Sequence, residues 1–276
     1  GSYNYSYSDG DQYYTWSPDS KHLLVQFFEF ERWNTDIGIV NASGKEKPIN
    51  LTQSGYGSSW AKFAMDGEMV YYSTDKYGLR SHGSWGSQVD VEAIFLTKQA
   101  YYKFTLSEEE YKAWKEAEDE AKKEADKKSA DDKSKDKNKD KNDEKPVIKP
   151  ITIDLDGLQD RKVRLTIHSS NLSDYVLNNE ATEMYYLSNF DKGFDLWSTK
   201  FKTSETKIIS KLGMGGSSLS LDKEEKFLFF NNNGGITKFE IANSTPKPVS
   251  VKGEMQLNTA DERAYMFEHA WRQVRE

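Results

Sequence analysis

Cysteine is absent from this chain of 276 residues. That excludes disulfides, a thiolate nucleophile and a zinc–thiolate site, and it leaves the compartment open. Histidine is scarce: His22, His82, His168 and His269. None of them accompanies a Gly-x-Ser-x-Gly elbow, and Ser81–His82 are neighbours in a loop rather than partners across a nucleophilic triad. No group of His, Asp and Glu has metal-ligand spacing, and no glycine-rich loop leads into a helix with a phosphate-binding lysine. No cofactor, metal or catalytic residue is therefore expected here. Basic excess is lacking too: 38 Lys and Arg stand against 45 Asp and Glu, a net charge of −7, which argues against a nucleic-acid partner. No apolar run approaches the roughly 20 residues of a membrane-spanning helix. No secretory leader opens the chain. Gly1-Ser2 reads as a cloning remnant and the chain as an excised piece, so the missing leader is uninformative.

Aromatic residues are plentiful, 13% of the chain. After an aromatic–polar alternation in Tyr3–Tyr7 they open the stretch Tyr14-Thr15-Trp16-Ser17-Pro18-Asp19-Ser20-Lys21-His22-Leu23-Leu24-Val25. An aromatic strand enters a tight turn and an apolar strand leaves it. Pro18 presets φ, and Asp19 bonds back to backbone N–H groups. Asp36–Asn41 and Pro48–Thr52 then read as a third and a fourth strand. Four short strands in a meander make one blade of a β-propeller.

The unit recurs. Phe63–Tyr72, Leu177–Leu187 and Leu219–Phe230 each repeat strand, Asp or Asn turn, and apolar strand. Asp19 to Asp66 spans 47 residues and Asn179 to Asp222 spans 43, both near the roughly 40–50 of a four-stranded blade. Asp66 to Asn179 spans 113, so a segment is inserted there. The expected fold is all-β: a partial propeller of about four four-stranded blades over 12–253, after a remnant of a preceding blade in 1–11. Gly234-Gly235 suits a hairpin turn in the last blade.

The insertion, 106–146, is charged. Ser107 before Glu108-Glu109-Glu110 is a good helix start. From Ser107 to Lys145 there are 12 lysines and 15 acids, with nothing large and apolar beyond Trp114. The expectation is a frayed helix followed by a solvated, disordered excursion. The fourth strand of the blade resumes at Val163–Ile167. At the other end, Ala264, Phe267, Trp271 and Val274 form one apolar face of a helix, with Thr259 and Glu262 as a capping box. This helix, within 258–276, reads as the start of a following domain. The loop Gly78–Ser87 sets Arg80, His82 and Trp85 among small residues, the pattern of a loop that lines a pocket or channel, a substrate path, or else of a long blade loop with its Trp packed back on the body.

Three stretches resemble the bacterial branch of the tricorn-type serine peptidases: Arg80–Gly86 before Asp90–Phe95, Asp154–Arg161 with Val163-Arg164-Leu165, and Phe267–Arg272. The resemblance implies a larger serine-type peptidase in which this piece is a non-catalytic propeller portion. It would gate or guide peptides or unfolded polypeptide toward an active site elsewhere. It also implies association with the parent's remaining domains, a homo-oligomeric parent, and the periplasm or cell envelope, with the cytoplasm as the alternative. Trp16-Ser17-Pro18-Asp19 fits a TolB-like binding propeller without peptidase activity equally well, and a prolyl-oligopeptidase-like propeller is a third reading.

Overall fold

The computed structural model describes residues 13–29, 34–82, 85–86, 88–133, 149–190 and 192–275. Tyr3–Tyr7 and 134–148 of the insertion lie outside the described residues. Four antiparallel four-stranded sheets follow one another as propeller blades. Blade 1 is β1 (Tyr14–Trp16), β2 (His22–Phe27), β3 (Asp36–Asn41) and β4 (Ile49–Asn50). Blade 2 holds β5 (Ser58–Ala64) and β6 (Met69–Thr74). A small hairpin of β7 (Arg80–His82) and β8 (Trp85–Gly86) interrupts it before β9 (Asp90–Phe95) and β10 (Lys162–Arg164). Blade 3 is β11 (Asn171–Leu177), β12 (Glu183–Asn189), β13 (Phe194–Lys200) and β14 (Glu205–Met214). Blade 4 is β15 (Gly216–Leu221), β16 (Phe227–Asn232), β17 (Gly235–Glu240) and β18 (Thr245–Val249). The insertion lies between β9 and β10, the third and fourth strands of blade 2.

Alternation along the middle strands explains the packing. Successive side chains point to opposite flanks of a blade, so a strand between two blades is apolar on both. Val70 and Tyr72 join Leu24, Ile37 and Ile39 in the core between blades 1 and 2. Met69 and Tyr71, one residue out of phase, join Tyr175, Leu177, Met184 and Tyr186 between blades 2 and 3. Tyr185 and Leu187 meet Leu228, Phe230 and Phe239 between blades 3 and 4. Each such fully buried side chain stabilises the fold by about 1.5–3 kcal/mol.

The turn between first and second strands repeats atom by atom in blades 1, 3 and 4. Ser17 Oγ accepts from His22 N, Asn178 Oδ1 from Glu183 N, and Asp222 Oδ1 from Phe227 N. Three residues after each anchor, Ser20, Ala181 and Glu225 sit at φ of 56°, 52° and 58°. The matching positions are therefore Ser17, Asn178 and Asp222, a shift from the Asp19–Asn179–Asp222 alignment read in the sequence. Blade 2 uses a shorter 3-10 turn, Met65–Gly67. In blade 4 the hairpin turn is Asn233-Gly234, both at positive φ, and Gly235 already pairs with Asn232 in the ladder. Asparagine tolerates the left-handed region, which moves the turn one residue back from the expected Gly234-Gly235.

Between β9 and the charged stretch expected from 106 onward lies a helix that the sequence analysis did not anticipate. α1 (Lys98–Thr105) is capped by the Thr97 side chain, which accepts from Ala100 N. Phe104 reaches Phe95 in the blade and Phe201 in the next. α2 (Glu108–Lys133) then follows Ser107, whose Oγ accepts from Glu110 N while Ser107 N donates to Glu110 Oε2. Its first turns dock on blade 3: Tyr111 Oη donates to Glu180, and Lys115 Nζ lies 2.9 Å from the same carboxylate. Lys202 donates to the carbonyls of Lys103, Phe104 and Leu106, closing the C-terminus of α1. The returning chain fastens to blade 1, where Ile151 N donates to Asp19 Oδ2. The two roots of the insertion thus touch the turns of blades 1 and 3.

The last helix, α3 (Thr259–Arg275), is capped by Asn258 rather than by the expected Thr259 box. Asn258 Oδ1 accepts from Ala260 N, and its carbonyl takes the first helical bond from Glu262 N. Phe267, Trp271 and Val274 are exposed.

Candidate functional site

The first strand of a blade forms one edge of its sheet. In blades 2, 3 and 4 that strand breaks step with its neighbour: between Ser59 and Lys62 in β5, Leu172 and Asp174 in β11, and Ser217 and Ser220 in β15. Trp60 and Ser218 carry φ of 57° and 58° at these bulges. A bulge re-aims side chains and frees ladder groups, and positive φ at a bulky residue persists only where its surroundings hold it. All three bulges line one cavity of about 500 Å³, with Trp60, Lys62, Asp174, Tyr175, Ser217 and Ser218 among its walls.

Asp174 ties the walls together. Its Oδ1 lies 2.9 Å from Lys62 Nζ in blade 2, and its Oδ2 accepts from Leu219 N in blade 4 at 2.7 Å. Lys62 also donates to Tyr175 O, and Ser173 Oγ donates to Gly216 O. Tyr175 Oη donates to Trp60 O at 2.9 Å. Burial pushes the Tyr175 phenol well up, so it stays a neutral donor. Lys62 and Asp174 face each other as a pair, and Trp60, 56% exposed, stands edge to face with Tyr13 at 4.8 Å. The cleft therefore combines an aromatic platform, several hydroxyls and a matched pair of charges. That surface suits an extended, largely uncharged chain.

The loop singled out in the sequence is the β7–β8 hairpin. Arg80 pairs backbone to backbone with Gly86, and His82 with Trp85. The Arg80 guanidinium lies 3.2 Å from Asp75 Oδ1 and stacks 4.8 Å above the Tyr56 ring, tying the hairpin to the link between blades 1 and 2. The side chains of His82 and Trp85 lie outside the described residues. The hairpin springs from the cleft's edge, since Ser73 and Val89 at its two stems line the cavity. Beneath it Glu92 accepts from Tyr72 and Tyr77 at 2.5 and 2.6 Å and faces Lys76 at 3.3 Å. Burial opposes the Glu92 charge, but the two phenols and Lys76 hold its carboxyl below the usual range. This network braces the stems.

The sequence reading passed over Trp60, Lys62 and Asp174. One signal was present: an aspartate inside an otherwise strand-like run, Leu172–Leu177, needs a partner. His22 Nδ1 stands 3.7 Å from Asp19, but Ser17 Oγ donates to Asp19 and not to the imidazole. That trio braces a turn. Among the described residues no three His, Cys, Asp or Glu side chains gather as a metal site, and no helix is long and apolar enough to cross a membrane.

The fold and its inner cleft define a β-propeller scaffold. No protein-family model matches the chain, and no curated protein is similar to it in sequence. Solved structures are similar in fold. The tricorn protease superposes with a TM-score of 0.52 at 12% identity, over 87% of this chain and 22% of that one. A protein assigned as TolB from Agrobacterium tumefaciens gives 0.50 at 11% identity, over 85% of this chain and 63% of that one. This chain thus spans about a fifth of the first and less than two thirds of the second.

Proposed function

We propose that this chain is the non-catalytic propeller portion of a tricorn-like serine peptidase and guides extended peptides toward an active site outside these residues. The observation that carries the reading is the cleft in which the bulges of three successive blades meet around Trp60 and the Lys62–Asp174 pair. The cleft runs along sheet edges, where an extended polypeptide can lie beside the strands, and an aromatic platform adds affinity for apolar side chains. The hairpin carrying Arg80, His82 and Trp85 forms the rim of that path. The periplasm or cell envelope is the compartment this reading favours.

The test is hydrolysis of an unfolded polypeptide by this chain beside the same gene extended through its natural C-terminus. Activity confined to the long form is expected. In that form Trp60→Ala raises KM and leaves kcat unchanged. No activity in either form moves the function to a binding propeller of the TolB kind, and activity in this chain alone overturns the assignment of a non-catalytic role.

A further inference from the structure

Blade 3 has a neighbour on each flank, yet the outer part of its blade 2 side is not filled. The two outer strands differ in length: β10 is Lys162–Arg164 and β14 is Glu205–Met214. Tyr186, Trp197 and Ile208 lie opposite one another across β12, β13 and β14, so all three face blade 2. Going outward along that row, Tyr186 is 4% exposed and Ile208 37%. A second cavity of about 550 Å³ opens there.

Its floor is aromatic. Trp197 stacks on Tyr186 at 6.3 Å and meets Phe190, just past β12, edge to face at 5.0 Å. Phe190 stays half exposed. Trp197 Nε1 is buried and has no hydrogen-bond partner among the described residues, an uncommon and costly state for a donor in a folded chain. Cations stand at the rim: Lys192 and Lys211 both line the cavity and are exposed. Among the described residues neither lysine has an ion-pair partner. The carboxylate in the wall, Asp195, is already engaged. Its Oδ1 accepts from Leu212 N at 2.7 Å and from Gly213 N at 3.1 Å, which holds the irregular end of β14 in place.

Ligand pockets of this size join apolar and aromatic walls to a few placed polar groups. A flat ring suits the Trp197–Phe190 floor. A carboxylate suits two ammonium groups and is the acceptor that the indole N–H lacks. We propose that this cavity binds a small aromatic carboxylate, with its ring against Trp197 and Phe190 and its charge toward Lys192 and Lys211. The cavity shares no residue with the cleft around Lys62 and Asp174, so the proposal stands apart from the peptide-guiding function.

Titration of phenylacetate into the isotope-labelled chain, followed by the indole N–H resonances, tests it. Trp197→Phe identifies the Trp197 signal by its loss. A saturable downfield shift of that signal is expected. Phenylacetamide, which keeps the ring and lacks the charge, should bind several-fold more weakly, as should acetate, which keeps the charge and lacks the ring. Lys192→Ala and Lys211→Ala should each weaken binding roughly 2- to 5-fold, the double variant more than either, and added salt should act in the same direction. Both lysines are exposed, and circular dichroism checks that the variants keep the fold. The tripeptide Gly-Gly-Phe carries the same ring and carboxylate. Tighter binding of the tripeptide than of phenylacetate assigns the site to the end of a peptide, and weaker binding assigns it to a free acid. A Trp197 signal unmoved at millimolar phenylacetate, equal binding of phenylacetate and its amide, or unchanged affinity in the double lysine variant overturns the proposal.

Discussion

Lys62 and Asp174 join blade 2 to blade 3 at 2.9 Å, while the other oxygen of Asp174 holds Leu219 N of blade 4. One carboxylate therefore sets the relative position of three blades and the width of the cleft between them. Asp174→Ala leaves Leu219 N without that acceptor and the Lys62 ammonium without its carboxylate, with Tyr175 O still accepting from it. The expected cost is about 1–3 kcal/mol, read as a lower urea midpoint. Asp174→Asn, which keeps an acceptor for Leu219 N, should lose less than the alanine variant.

Asp19 makes the first turn sensitive to acid. Burial opposes its ionisation, but bonds from the Ser17 hydroxyl and from the N–H groups of Ile151 and Lys21 outweigh that and hold its carboxyl at about 2. A depressed carboxyl contributes stability above its unfolded value, and this contribution is lost as pH falls through the folded one. The contribution is about 2 kcal/mol at neutral pH by linkage. Unfolding followed from pH 5 downward should show a decline in stability between about 4 and 2. Asp19→Ala should lower stability at neutral pH and flatten that decline.

Lys202 anchors the root of the insertion. Its three carbonyl partners are Lys103 and Phe104 in the last turn of α1 and Leu106 just past it, and its ammonium also stands 4.7 Å above the Tyr111 ring. Lys202→Ala should cost about 1–3 kcal/mol and speed hydrogen exchange in Lys98–Thr105 before it affects β12 or β16. Equal acceleration in all three segments would mean that α1 does not open separately from the blades.

Gly78 passes close to the backbone of the opposite hairpin stem. A β-carbon there would lie 2.2 Å from Gln88 O, a contact that only a backbone shift relieves. Gly78→Ala should cost about 1–3 kcal/mol and disturb the Arg80 stack on Tyr56. A thermal midpoint unchanged from the parent would show that the stems separate freely.

Much of the fold was legible because its signals are local. The Ser17, Asn178 and Asp222 turns use side chains that bond to backbone within five residues, and the apolar strands after them alternate with the period a blade requires. Ser107 likewise announced its helix by a bond three residues away. α1 was hidden because its mean composition is polar, and its helix is held by Phe95, Phe201 and Lys202 from distant stretches. The cap of α3 shifted to Asn258 because neighbouring polar residues compete for one role.

By itself the sequence determined the number of repeats, the strand order within each and the place of the insertion, since turn chemistry and alternation act over a few residues. Only the tertiary structure decided the cleft. Trp60, Asp174 and Ser218 lie far apart along the chain, and each sits at a local break in its ladder. Packing three blades side by side brings those breaks to one wall, and the Lys62–Asp174–Leu219 contacts hold them there.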